Sequence, residues 1–161
     1  MSEETVDFLD GLLKDIPAEE VKDERLGTYP DAVLLKDTKV NVRTGDDNQT
    51  SYSLEAHFQV QNDKGKHIAV AFIGIPNRSS EQWQKNFALR WLHAFGLLPI
   101  TNKNVPVLPD GNEDVRRDYV DRIAVAFNTK VGETVAISIA ESKKGFVNVN
   151  PGKAKVMNGA A

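Results

Sequence analysis

Polar and apolar residues alternate through much of the chain, in two blocks separated by segments with helical spacing. In the first block, Thr38, Val40 and Val42 face one way while Lys39, Asn41 and Arg43 face the other, predicting a strand over residues 35–44. The polar run Gly45-Asp46-Asp47-Asn48 is a turn. Tyr52, Leu54, Ala56, Phe58 and Val60 then alternate with Ser53, Glu55, His57, Gln59 and Gln61, predicting a second strand over residues 51–61. Asn62-Asp63-Lys64-Gly65 closes a hairpin into a third strand over residues 67–75. That strand is apolar on both faces. One face is expected to meet the interior and the other a covering helix or a ligand.

Pro76 ends the third strand, and Ser79 or Ser80 is placed to cap a helix over residues 80–95. Trp83, Phe87, Trp91 and Phe95 recur every four residues along it, a stripe read as core. Gly96 stops this helix, and residues 97–112 read as a long loop. Val115, Tyr119, Ile123 and Phe127 predict a second helix over Glu113–Asn128. A strand over residues 122–129 competes with that reading, because Ile123, Val125 and Phe127 also alternate. Two last strands follow, over residues 133–141 and 145–149.

Three strands, a helical connection and two strands predict a mainly β protein with helices. The expected architecture is a five-stranded OB-fold barrel with its helical connection between strands three and four. The 161 residues fit one domain. It is expected over residues 25–155, behind an acidic arm (1–24) and before a flexible tail (156–161). In the arm, Val6, Leu9, Leu12 and Leu13 recur at helical spacing beside Phe8, predicting a short helix over residues 4–14 and a further turn over 18–22.

Charge is divided unevenly. Residues 1–24 hold nine acids against Lys14 and Lys22, whereas the remainder holds 14 acids and 18 bases. A mildly basic body suits a polyanionic partner, although ordinary surface charge accounts for it equally well. The absence of cysteine excludes disulfides and thiolate chemistry. No apolar run reaches the length of a membrane span, and the acidic opening is unlike a targeting segment, so a cytoplasmic protein is expected.

No phosphate loop, zinc signature or nucleophile elbow is present, and His57, His67 and His93 fall on different elements. No enzyme activity, cofactor or metal is therefore expected. The competing reading is a Mg-dependent nuclease, since Pro109-Asp110 and Glu141-Ser142-Lys143 spell a PD…ExK pattern. Its context is poor, because a helix intervenes and Pro109-Asp110-Gly111 reads as a turn. A non-enzymatic structural or adaptor protein is a third reading.

Gripping an unpaired strand needs cations for phosphates and flat side chains for bases. Candidate cationic and polar contacts are Lys39, Arg43, His57, Lys64, Lys66, Arg78, Lys143, Lys144 and Lys153. Tyr52, Phe72 and Phe146 are candidate stacking residues, with a core position as the alternative for Tyr52 and Phe72.

Several motifs carry a family likeness over roughly residues 25–155: Leu26-Gly27-Thr28-Tyr29, the strand from Tyr52 to Val60, and His93-Ala94-Phe95-Gly96-Leu97 closing the striped helix. Val131-Gly132-Glu133-Thr134-Val135 and Gly145-Phe146-Val147-Asn148-Val149 complete them. In these the chain resembles the small phage-encoded single-stranded-DNA-binding proteins of OB fold that accompany replication and recombination genes. The resemblance implies single-stranded DNA as partner, weak sequence selectivity, and the cytoplasm of the host cell. Many such proteins end in an acidic partner-recruiting tail, whereas this chain carries its acidity in residues 1–24. That arm is expected to recruit replication or recombination proteins or to compete with DNA. The oligomeric state stays open, a homo-oligomer included.

Overall fold

A computed structural model describes residues 23–152 except Asp47. The expected arm helix, the tail, and Lys153 lie outside the described residues. Six strands and two helices follow in the order β1 (Gly27–Leu34), β2 (Lys39–Thr44), β3 (Thr50–Asn62), β4 (Gly65–Ile75), α1 (Gln82–Ala94), α2 (Glu113–Asn128), β5 (Thr134–Glu141) and β6 (Val147–Pro151). Among the described residues, no helix is long and apolar enough to cross a membrane.

The protein is mainly β, as expected, but the expected closed five-stranded barrel is corrected to six antiparallel strands in an open sheet. The extra strand is β1, ahead of the strand expected over residues 35–44, of which only Lys39–Thr44 forms, as β2. Residues 35–38 leave the ladder, so the extended segment from Gly27 divides into β1 and β2. Both pieces lie along the same edge of β3: Val33 and Leu34 pair with Gln59 and Phe58, and Lys39 to Thr44 pair with Glu55 to Thr50. Between them, Leu35 N–H still donates to the His57 carbonyl at 2.9 Å, and Thr38 is fastened through its N–H and hydroxyl to Asn128 Oδ1 at the end of α2.

The β3–β4 hairpin is the longest ladder, running from Tyr52↔Ile75 to Asn62↔Gly65 around the two-residue turn Asp63-Lys64. On the far side β1 pairs with β5, and β5 with β6. β4 and β6 then lie near one another without forming a ladder. Gly152, just past β6, donates its N–H to the Ala136 carbonyl, and a Cβ there would fall 2.7 Å from the Ala136 backbone. Only glycine permits that approach.

Alternation puts Tyr52, Leu54, Ala56, Phe58 and Val60 inside, opposite Ala69, Ala71, Ile73 and Ile75 of β4. Both helices pack on this inner side, sharing one core with it. Phe58 stacks on Trp91 with centroids 6.2 Å apart, and Phe95 meets Phe127 edge-on at 4.5 Å, joining α1 to α2. α1 is capped differently from the expectation: Glu81 is its N-cap, while Ser80 Oγ accepts from Asn77 N–H and holds the preceding turn. α2 starts on Asn112, whose side chain accepts from Val115 N–H at 3.0 Å. The long loop between the helices is pinned by buried Leu108, whose N–H donates to the Pro76 carbonyl.

Candidate nucleic-acid interface

In an antiparallel pair, register partners project on the same face. Lys39 opposes Glu55, Asn41 opposes Ser53, and Arg43 opposes Ser51. Across the other ladder, Glu55 opposes Phe72, His57 opposes Val70, Gln59 opposes Ile68, and Gln61 opposes Lys66. The outer face of β2, β3 and β4 therefore gathers Lys39, Arg43, His57, Lys66 and Phe72. Phe72 and Ile68 on this face are exposed, so of the two covers expected for the second side of β4, a helix or a ligand, no helix lies over them. Phe72 is 60% exposed and Ile68 50% exposed, an apolar strip along an otherwise polar surface.

The centre of the face is electrostatically organised. Glu55 Oε2 lies 2.7 Å from His57 Nε2, and Asn41 Nδ2 donates to the other oxygen at 3.4 Å. The hydrogen bond from His57 holds the Glu55 carboxyl below its ordinary range, helped by Asn41 and by the charge on Lys39. Arg43 makes no ion pair among the described residues.

At the Arg43 end the face deepens into a groove of about 540 Å³ between Arg43, Ser53, Phe72, Gly74, Ser80 in the turn before α1, and Gln84 in the first turn of α1. It joins a second hollow under the β2–β3 turn, sharing Arg43, Ser51 and Asn77 with it. Asn77 is braced from behind by Arg116 of α2, which donates to Asn77 Oδ1 at 3.2 Å and to the Thr50 carbonyl at 2.8 Å.

The remaining expected residues fall in three places. Tyr52 points inward at 5% exposure and donates its hydroxyl to Glu113, so of its two expected roles, stacking or core, it takes the core one, and its place among the contact residues is corrected. Burial, followed by the Glu113 carboxylate, raises its phenol above the ordinary range. Lys64 sits at the tip of the β3–β4 hairpin, remote along β3 from Arg43. Arg78 occupies the turn beside Asn77, its guanidinium 3.5 Å from the Asp110 carboxylate. Lys143, Lys144 and Phe146 ride on the β5–β6 turn, where Phe146 is 66% exposed, and they do not line the groove.

The PD…ExK residues are also separated by element. Asp110 precedes α2 and pairs with Arg78, whereas Glu141 and Lys143 stand at the β5–β6 turn. Among the described residues no group of three acidic or histidine side chains is arranged to hold a metal ion.

The four-residue stripe places Trp83 in the core; it instead lies 63% exposed, its indole N–H donating to the Glu81 carboxylate. A four-residue step overshoots the 3.6-residue helical turn by about 40°, so three steps rotate Trp83 some 120° away from Phe95. Counting angle rather than spacing would have found it. In comparison with known proteins, no protein family and no curated protein matches the chain.

Proposed function

We propose that this protein is a non-catalytic, weakly sequence-selective binder of single-stranded DNA acting in phage replication or recombination. The strand would lie across the outer face of β2, β3 and β4, with Phe72 as a base platform. Lys39, Arg43 and Lys66 would meet phosphates. The observation that carries this reading is the conjunction of a 60%-exposed Phe72 with Lys39, Arg43 and His57 on one uncovered sheet face.

The strand neighbours support an OB-type barrel. With β2 taken as a continuation of β1, the neighbour relations are β1–β3, β3–β4, β1–β5 and β5–β6, with β4 near β6 and the helices between β4 and β5. This is the neighbour scheme of a five-stranded barrel left partly open, in which the second and third strands and two flanking loops receive oligonucleotides. Those strands correspond to β3 and β4 here. The flanking loops correspond to the β2–β3 turn and to the β5–β6 turn carrying Lys143, Lys144 and Phe146.

Fluorescence anisotropy of a labelled 20-nucleotide strand and its duplex tests the proposal. The single strand should bind more tightly. Its affinity should fall with salt, with a log–log slope of roughly −2 if three phosphates are met. Equal affinity for duplex, or no binding at low salt, would overturn it. Retention of a protein partner without DNA binding would favour the adaptor reading.

A further inference from the structure

Beyond the groove, the same surface continues into a smaller hollow of about 210 Å³ formed by Gly74, Pro76, Trp83, Gln84 and Phe87. Gly74 and Gln84 line both, so the two are one continuous depression running from the sheet onto α1. The hollow is smaller than the sites that take drug-sized ligands, so it suits a single ring system. Its lining holds two aromatic side chains, Trp83 and Phe87, a proline ring and the one side-chain amide of Gln84.

We infer that this hollow is a slot for one unpaired nucleobase, which stacks on Trp83 while Gln84 Nε2 donates to its polar edge, Gln84 Oε1 being engaged by Glu81 N–H. The inference rests on the proposed single-stranded DNA reading and adds a second aromatic station to Phe72. Three features favour a base over a phosphate. Glu81, which accepts from the Trp83 indole, places a carboxylate beside that ring, which repels a phosphate and tolerates a neutral base. The cation Arg43 lines the groove and not the slot, and Arg78 lines neither. Gly74 contributes no side chain between the two hollows, and a Cβ built there meets nothing within 4 Å, so the passage from Phe72 to Trp83 is open.

Trp83 and Trp91 are the chain's two tryptophans, and Trp91 is fully buried, so a ligand-induced change in indole emission reports chiefly on Trp83. The full chain would be titrated with an oligothymidine and with an abasic strand of equal length and charge, following tryptophan emission and the anisotropy of an end label. Binding of oligothymidine should quench emission while the abasic strand leaves it unchanged. Trp83→Ala should weaken oligothymidine binding about tenfold and leave abasic binding unaffected. Trp83 is exposed, so this variant should keep its melting temperature, and circular dichroism would verify that it folds. DNA binding with neither quenching nor an effect of Trp83→Ala overturns the slot and leaves the proposed function standing. Absence of DNA binding by anisotropy overturns both.

Discussion

His57 Nε2 lies 2.7 Å from Glu55 Oε2 on the outer face of β3, so the one carboxylate among the outward positions of β2, β3 and β4 is held at the middle of the cationic surface. It draws on Lys39 and His57 at once. Replacing it by a neutral amide removes a charge that opposes phosphate and frees the Lys39 ammonium from it. Glu55→Gln should therefore tighten single-stranded DNA binding by roughly two- to fivefold at low salt, with the gain shrinking as salt screens the surface. Anisotropy titrations at two salt concentrations measure this. Weaker binding would mean that DNA does not cross this face.

Gly74 separates packing from binding. A glycine inside a strand is weakening, and here a side chain would enter open space. Gly74→Val should fold with equal or higher thermal stability while narrowing the groove beside Phe72, with DNA affinity falling several-fold. Thermal melts read beside anisotropy check both halves. Loss of stability would mean that the strand tolerates no branch there.

Tyr52→Phe distinguishes a core role from a stacking role. The ring stays in place and only the hydroxyl bonded to Glu113 is lost. The melting temperature should fall by a few degrees with DNA affinity unchanged. A marked loss of affinity would return Tyr52 to the binding surface.

Asp23 ties the start of the described chain to the sheet. It accepts from Arg25 through both oxygens, and Arg25 in turn donates to the Ile68 carbonyl at 3.0 Å. The hydrogen bond from Arg25 lowers the Asp23 carboxyl from 3.8 to about 2. A depressed carboxyl stabilises the folded state above its unfolded value and loses that contribution as pH falls through the folded value. The stability difference between the natural chain and Asp23→Asn should thus be constant near neutrality and close as pH drops from about 4 towards 2. Denaturant melts across that window measure it, and a gap that widens on acidification would contradict the assignment.

The legible parts of the fold are those whose periodicity survives into three dimensions. β3 has five uninterrupted in/out pairs, and α2 follows the spacing of Tyr119, Ile123 and Phe127, so both emerge within a residue of their bounds. β1 is hidden because the register shifts between Tyr29 and Ala32, around Pro30 and Asp31. Its buried positions are Tyr29, Ala32 and Leu34, a step of three and then two that matches neither period. At the candidate interface, Lys39, Arg43 and His57 are legible from alternation alone. The exposure of Phe72 is not, because both faces of β4 are apolar and only the position of the helices decides which is covered. Gly74 and Asn77 give no signal in the sequence, since their part is to leave space and to hold a backbone turn.

β2 is the terminal strand of its path through the sheet, hydrogen-bonded to β3 on one flank, yet it carries Lys39 and Arg43. Two cations of the proposed DNA face are consequently mounted on an edge strand, fixed at its near end by the Thr38–Asn128 bonds. That edge is held by six residues of pairing to β3 and by Val40, which packs against the core, so the placement of Lys39 and Arg43 depends on little more than this one ladder.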